Sequence, residues 1–268
     1  MTWYLDTALS AGAVGVVAGA FVPHVIARLP EPVPDPEPAL DPLQPAENEA
    51  EFSRPLDDPK EPYTEVAALS GLRWNAAVAS GLAAGLLGGR VGWDPALLFL
   101  LYLTPVCVAL SVVDWRTRYL PTRLIAPSYG VVGGLVLLAF AVSSDRDALV
   151  HAVVGWLATF GVFFASWFVS PRLVSYGDVR LAGLLGMALG WLGVQQLVLG
   201  MYTGFLLGGI GGLLLSAVRV FHHRHVPFGP FMILGAFLGA AFPGQLGAGY
   251  GWLVNGVTVA IGALVDAF

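Results

Sequence analysis

Residues 96–114 read ALLFLLYLTPVCVALSVVD, a run of uncharged residues followed by an aspartate. The run before Asp114 is close to the roughly 20 apolar residues that a helix needs to cross a bilayer. Asp178 directly precedes a second, mostly apolar run, residues 179–199. A charged side chain at the centre of a membrane helix costs about 2.5–3.5 kcal/mol on insertion scales, so acids beside such runs are candidates for function. We therefore take Asp114 and Asp178 as candidate catalytic residues.

The composition of the whole chain predicts a membrane protein. Of its 268 residues, 56% are hydrophobic and only 12% are charged, whereas soluble domains carry about 25% charged residues. The 34 glycines fit close helix packing in lipid, where small residues let backbones approach. We expect an all-α fold, a polytopic bundle of transmembrane helices with about nine spans.

Nine apolar segments mark the predicted spans. The segment from residue 179 to 220 is split at Gly190–Gly193, because a single helix of this length would overshoot the bilayer. The first segment lacks the basic start of a signal peptide, so we expect it to be retained. The predicted spans are Ala8–Arg28, Trp74–Gly89, Ala96–Val113, Leu124–Val142, Leu149–Val169, Val179–Gln195, Leu197–Val220, Phe228–Phe242 and Trp252–Ala267.

Basic residues predict the orientation of these spans, because loops on the cytoplasmic side are enriched in Lys and Arg. With the N-terminus outside, only Arg90 and Arg146 fall outside the cell, and the C-terminus is cytoplasmic. Asp114 and Asp178 then share the cytoplasmic face. The basic residues on that face are Arg28, Arg54, Lys60, Arg73, Arg116, Arg118, Arg123, Arg172, Arg180, Arg219 and Arg224.

An acidic, proline-rich segment follows the first span. Eleven of the eighteen acids lie between Glu31 and Glu65, and ten prolines lie between Pro30 and Pro62. This composition predicts a disordered cytoplasmic linker. We divide the chain into a first transmembrane helix (1–29), the linker (30–65) and a multi-span core (66–268). No large basic patch suggests nucleic acid as a partner, and the single cysteine, Cys107, excludes an internal disulfide or a Cys-x-x-Cys zinc site. We expect membrane lipid as a partner, and no metal or cofactor.

Three short motifs accompany the two aspartates. Residues 114–121 read DWRTRYLP, where Asp114 has a simpler interpretation as an interfacial acid paired with Arg116 or Arg118. Residues 175–181 read SYGDVRL, where Asp178 stands in the position of a helix N-cap, which is again a simpler interpretation. Residues 227–231 read PFGPF, a pattern typical of a turn and a helix start.

Together the motifs suggest catalysis by a pair of carboxylates. Two acids within a few ångströms share one proton, because like charges oppose joint ionisation. The ionised member can activate a water, and the protonated member can polarise the carbonyl of the bond to be cleaved.

These motifs resemble those of the type IV prepilin peptidases. Residues 113–121 are similar to the first aspartate motif of the family, residues 176–181 to the second, Gly-x-Gly-Asp, and residues 227–231 to its Pro-Phe-Gly-Pro segment. Residues 19–30, GAFVPHVIARLP, resemble the family's first helix, which ends in Arg-Leu-Pro. The resemblance implies an intramembrane aspartyl endopeptidase of the bacterial cytoplasmic membrane that cleaves the basic leader from type IV prepilin or pseudopilin precursors at the cytoplasmic face. It implies Asp114 and Asp178 as catalytic, with supporting positions at Tyr176, Gly177, Arg180, Pro227, Phe228, Gly229 and Pro230.

The chain departs from the family pattern at two places. Ser175 stands where the first glycine of Gly-x-Gly-Asp is found. The two Cys-x-x-Cys pairs, which bifunctional members carry between their first and second helices for N-methylation, are missing there. We therefore expect a peptidase without N-methyltransferase activity.

Other function classes stay open from the sequence. The chain is also compatible with a protease acting on other single-span substrates, a small proton-coupled transporter, or an inactive component of a pilus or secretion assembly. The lack of an evident repeat and the position of both acids at one edge disfavour the transporter.

Overall fold

The computed structural model describes residues 3–31, 61–170, 174–217 and 227–249, together with Gly251 and Val259, and every regular element in these ranges is helical. The helices are α1 (Leu5–Gly19), α2 (Val22–Ala27), α3 (Tyr63–Ala67), α4 (Leu72–Val91), α5 (Ala96–Thr117), α6 (Thr122–Ser143), α7 (Arg146–Val169), α8 (Tyr176–Leu192), α9 (Val194–Ala217), α10 (Gly229–Ala241) and α11 (Pro243–Gly249).

Five segments of these ranges are long and apolar enough to cross a membrane, and a sixth is added if the bent pair α10–α11 counts as one span. The two helices of that pair meet at an angle of 103°. Helices α4 and α8 also lie where the sequence predicts spans, and the ninth predicted span, 252–267, lies outside the described residues. The five are Leu5–Ala27, Ala96–Thr117, Thr122–Ser143, Arg146–Val169 and Val194–Gly211.

The predicted break inside residues 179–220 is confirmed. Helix α8 ends at Leu192, and α9 begins at Val194. Between them Gly193 has a φ of 128°, a backbone conformation that residues with a side chain rarely adopt. A glycine at this position therefore allows the chain to leave one helix and enter the next within a single residue.

Small residues bring neighbouring helices close together. A side chain added at Gly88 of α4 would start 2.9 Å from the carbonyl oxygen of Thr7 in α1. In the same way, Gly204 of α9 would press against the backbone of Met232 in α10, at 2.9 Å from its Cα. Such close approach is the usual basis of helix association in lipid, where burial from water supplies little driving force.

Helices α5 and α8 lie side by side in the centre and run in opposite directions. Both contribute fully buried leucines to the main core, such as Leu110 and Leu184. The rings of Phe99, near the start of α5, and Trp191, near the end of α8, have their centroids 6.3 Å apart. The end of α5 therefore meets the start of α8, where the two candidate aspartates lie.

A second cluster joins the first helices to the end of α5. Val22 and Ile26 of α2 pack with Tyr63 and Val66 of α3, and Val113 of α5 belongs to the same cluster. Most of the predicted linker, residues 32–60, lies outside the described residues. Its last residues, from Tyr63, are helical instead, because an aromatic and an aliphatic side chain one turn apart bury themselves against α2 and α5.

Candidate active site

Asp114 lies in the last turn of α5 and is almost buried, with 5% of its surface exposed. Its Oδ2 accepts a hydrogen bond of 3.0 Å from the backbone N–H of Gly229. The helix ends directly afterwards, where Arg118 adopts a φ of 53° and donates its backbone N–H to the carbonyl of Asp114. Asp114 is thus held between the end of α5 and the start of α10.

Arg116 does not make the ion pair with Asp114 that the simpler interpretation of the first motif proposed. Its guanidinium makes two hydrogen bonds, of 2.8 and 2.9 Å, to the carboxylate of Glu61. Both side chains of this pair are 40% exposed. The acid that neutralises Arg116 therefore comes from the segment that leads into α3.

Asp178 is the third residue of α8 and is 6% exposed. The prediction that Asp178 is itself the N-cap is wrong, because Ser175 occupies that position. The hydroxyl of Ser175 accepts from the backbone N–H of Asp178 at 3.1 Å, while Oδ2 of Asp178 accepts from the hydroxyl and the N–H of Ser175 at 2.8 and 2.9 Å. This reciprocal arrangement is a capping box.

The replacement of the family's glycine by Ser175 leaves the backbone unstrained. Ser175 has φ −80° and ψ 155°, an extended conformation open to any residue. The serine adds a hydroxyl that both caps the helix and binds the carboxylate. Sequence reasoning missed this role, although a serine three residues before an acid at a helix start is the signature of a capping box.

The two aspartates come together in space. Asp114 binds the start of α10 through Gly229, and both Gly229 and Gly177, the residue before Asp178, lie against Leu120, although α6 and α7 separate the two aspartates in the chain. Like charges in a site closed to water repel strongly, since the low dielectric constant screens them little. One proton shared by the pair removes this repulsion.

Leu120 fills the space between the three motifs. A side chain added at Gly177 would start 2.8 Å from Cβ of Leu120, and one added at Gly229 would start 3.5 Å from its Cδ2. Leu120 itself is 3% exposed. The two glycines therefore let the starts of α8 and α10 close on one leucine beside the aspartates.

The other predicted supporting residues of the second motif lie on its outer side. Tyr176 is exposed and contacts Trp167, with ring centroids 5.2 Å apart. The guanidinium of Arg180 lies 5.0 Å from the centre of the Tyr176 ring and donates to the hydroxyl of Thr122. One described hydrogen bond of the Arg180 guanidinium thus joins α8 to the start of α6, the other stays within α8, and neither reaches a carboxylate.

The third motif forms the start of α10, as its prolines predict. Phe228 is the N-cap residue, Gly229 begins the helix, and Pro230 occupies its first turn. Pro227 is buried. The ring of Phe228 contacts those of Phe163 and Phe205, with centroids 6.1 and 5.9 Å apart. These contacts fix the helix start that presents the N–H of Gly229 to Asp114.

No group of three or more His, Cys, Asp or Glu side chains within the described ranges is arranged to hold a metal ion. The described polar groups of this site are two carboxylates, a hydroxyl and backbone N–H groups.

Residues 101–244, more than half of the chain, match the model of the type IV leader peptidase family. The chain belongs to this family. The matched range contains Asp114, Asp178 and the PFGPF motif, so the family assignment covers the whole candidate site.

Individual members of the type IV leader peptidase family show the same similarity. A prepilin leader peptidase/N-methyltransferase of Stutzerimonas stutzeri is 31% identical over 176 residues, which cover 63% of this chain and 59% of that protein. A protein of the same description from Dickeya chrysanthemi is 33% identical over 182 residues, covering 66% of this chain and 58% of that protein. The alignments thus span between half and three fifths of these relatives' lengths. No solved structure matches the chain.

Proposed function

We propose that this chain is an intramembrane aspartyl endopeptidase that cleaves the leader peptide from type IV prepilin or pseudopilin precursors. The observation that carries the proposal is the convergence of Asp114 and Asp178, two nearly buried acids from separate helices, on the same corner of the bundle beside Leu120. Membership of the type IV leader peptidase family supports a peptidase and prepilin-like substrates.

The hydrogen bonds favour a division of labour between the two acids. Oδ2 of Asp178 accepts two hydrogen bonds from Ser175, whereas Oδ2 of Asp114 accepts one from Gly229. Hydrogen bonds to a carboxylate stabilise its ionised form. Asp178 then takes a proton from the attacking water, and protonated Asp114 donates a hydrogen bond to the carbonyl oxygen of the peptide bond. The titration belongs to the pair as a unit.

We further propose that the site faces the cytoplasm, in a chain of nine spans with its N-terminus outside. The excess of basic residues on that side, set out above, supports this orientation. The proposal keeps the division into a first helix (1–29), a linker (30–65) and a multi-span core (66–268). A cytoplasmic site would meet the leader at its junction with the hydrophobic helix of the substrate.

The family assignment favours the peptidase over the two alternatives from other classes. A proton-coupled transporter or an inactive assembly component would not explain why both acids lie in motifs of a peptidase family. Membership of the type IV leader peptidase family thus explains both acids by one reaction, the hydrolysis of a peptide bond.

The proposal is tested by co-expressing the chain with a candidate prepilin and following the size of the precursor. Asp114→Asn and Asp178→Asn should each lower processing by roughly 100-fold to 10,000-fold, since general acid–base groups contribute that much. Asp147→Asn, the same change at an exposed acid of α7, is the matched control. If either catalytic variant processes the precursor at the control rate, the pair is not the catalytic unit. Ion-coupled uptake lost in both variants, with processing intact, would support the transporter.

We also propose that this chain does not methylate the new N-terminus of its product. The sequence contains one cysteine and therefore neither of the Cys-x-x-Cys pairs associated with that activity. Mass spectrometry of the processed pilin, made in a host without other such enzymes, should show an unmodified N-terminus. A product heavier by one methyl group would contradict this.

A further inference from the structure

A second polar site lies at the opposite end of the central helices. The end of α4, the segment before α5, the start of α7 and the end of α8 border a partly open cavity of about 230 Å³, many times the roughly 15 Å³ that one water needs. Because α5 has 22 residues and an α-helix rises 1.5 Å per residue, this cavity lies about 30 Å from Asp114. Its polar lining includes Arg90, Asp94, Asp145 and Gln196, and Trp191 forms part of its wall.

Arg90 brings a positive charge to this cavity on a partly buried side chain. Its Nε is buried and has no hydrogen-bond acceptor within the described ranges. A buried donor without an acceptor costs about 1–3 kcal/mol, and more when the group is charged, so such donors normally have a partner. The position therefore suits a bound group that supplies acceptor oxygens.

Two carboxylates of the same cavity each use only one of their oxygens in a described hydrogen bond. Asp94 uses Oδ1 to accept from the N–H of Ala96 at 2.8 Å, and Asp145 uses Oδ1 to accept from the N–H of Ala148 at 2.9 Å. Each acid thus fixes a helix start with one oxygen. The second oxygen of each accepts no hydrogen bond from a described residue, so it is open to a cationic donor.

The position of the cavity points to the level of lipid headgroups. The candidate spans α5 and α7 begin at Ala96 and Arg146, immediately after the two acids. The ends of membrane spans lie where hydrocarbon gives way to headgroups. Beside the cavity, Trp93 is 71% exposed, and tryptophan is enriched at this boundary.

We propose that this cavity binds the phosphoethanolamine group of a phosphatidylethanolamine lipid. The phosphate accepts from the Arg90 guanidinium, which is well suited to phosphate oxygens. The primary ammonium donates to the free oxygens of Asp94 and Asp145. A choline headgroup has no N–H to donate, and a glycerol headgroup has no cation, so each satisfies only half of the site.

The test uses the purified full chain in detergent, with native mass spectrometry counting bound lipid. Phosphatidylethanolamine, phosphatidylcholine and phosphatidylglycerol with identical acyl chains are added in turn. We expect retention of phosphatidylethanolamine to exceed that of the other two by about tenfold, because one hydrogen bond to a charged group is worth at least about 1.4 kcal/mol.

Substitutions locate the binding. Arg90→Gln should lower phosphatidylethanolamine retention about tenfold. The pair Asp94→Asn with Asp145→Asn should abolish the preference over phosphatidylcholine while keeping the fold, because asparagine keeps the oxygen that accepts from Ala96 in the turn before α5 and from Ala148 at the N-cap of α7. Asp147→Asn, an exposed acid outside the cavity lining, is the control and should change nothing.

Three results would overturn the proposal. Equal retention of the three lipids would mean unspecific lipid around the bundle. A preference that survives both Arg90→Gln and the double variant would place the binding elsewhere. Soluble phosphoethanolamine that binds as tightly as the lipid would show that the site takes a free zwitterion and not a membrane lipid. The site is independent of the proposed peptidase activity, so the failure of one leaves the other standing.

Discussion

The charged groups at the two ends of α5 differ in how far the protein satisfies their hydrogen bonds. At the Asp114 end, each carboxylate accepts hydrogen bonds from the protein, from Gly229 in one case and Ser175 in the other. At the Ala96 end, Asp94 and Asp145 each accept one hydrogen bond, but the buried Nε of Arg90 has no acceptor among the described residues. The first arrangement holds a reactive pair in place, as a catalytic site needs. The second leaves room and bonding capacity for a bound group.

After substitution of the two aspartates themselves, the largest effect is expected from adding a methyl group beside Asp114. In Gly229→Ala the new Cβ would lie 2.6 Å from Oδ2 of Asp114, so the carboxylate must move. A displacement of about 1 Å at a catalytic group costs roughly 100-fold in rate. We expect processing of the precursor to fall by this order, measured as the initial rate with purified protein.

Gly134→Ala on α6 is the matched control, since a side chain there would meet nothing within 4 Å. It should leave the rate unchanged. If Gly229→Ala is as active as this control, the close contact with Asp114 has no part in catalysis and the contrast between the two ends disappears.

A smaller loss is expected at the Asp178 side of the pair. Ser175→Ala removes the hydroxyl that donates to Oδ2 of Asp178 and accepts from its N–H, but it keeps the donor N–H of residue 175. The rate should fall about tenfold, because a hydrogen bond to a charged group is worth about 1.5–3 kcal/mol. Loss of the N-cap should also lower the free energy of unfolding by about 1 kcal/mol.

Ser175→Thr keeps the hydroxyl and should restore most of the rate and the stability. A purely structural cap would give a different pattern, in which Ser175→Ala lowers the thermal midpoint but leaves the rate below that temperature intact. That outcome would remove Ser175 from the catalytic arrangement.

The smallest effect is expected from the ion pair of Arg116 with Glu61. Both partners are 40% exposed, and exposed pairs contribute about 0.2–1 kcal/mol. Arg116→Gln should therefore lower processing less than about threefold, with a smaller difference at high salt. A double-mutant cycle with Glu61→Gln measures the coupling directly. A loss as large as that of Asp114→Asn would mean that Arg116 acts on the catalytic acid after all.

Local sequence patterns predicted much of this molecule, since helices in a membrane depend on runs of apolar residues. The break at Gly193 and the start of α10 at Gly229 followed from glycine and proline positions. The hydrogen-bond partners of individual atoms could not be predicted in this way. The hydrogen bond from Gly229 to Asp114 joins residues 115 positions apart, and nothing in either motif indicates it. The ion pair between Arg116 and Glu61 also joins residues that are far apart in the chain.

The cavity beside Arg90 could not be predicted from the sequence either. Asp94 has an ordinary local explanation as the acceptor in a turn before α5 and Asp145 as the N-cap of α7, and a single arginine after an apolar helix is a common anchor. Only the packing of several helix ends brings the three charges around one space.

The cluster that joins α2 to α3 has a consequence for the evolution of this chain. The N–H of Tyr63 donates to Oε1 of Glu31 at 2.7 Å, so the two ends of the intervening segment are fastened to each other. For a flexible loop with fixed ends, each doubling of length costs only about 0.6 kcal/mol. Insertions of very different size, even a folded module, would therefore be accommodated at this junction without disturbing the bundle that carries Asp114 and Asp178.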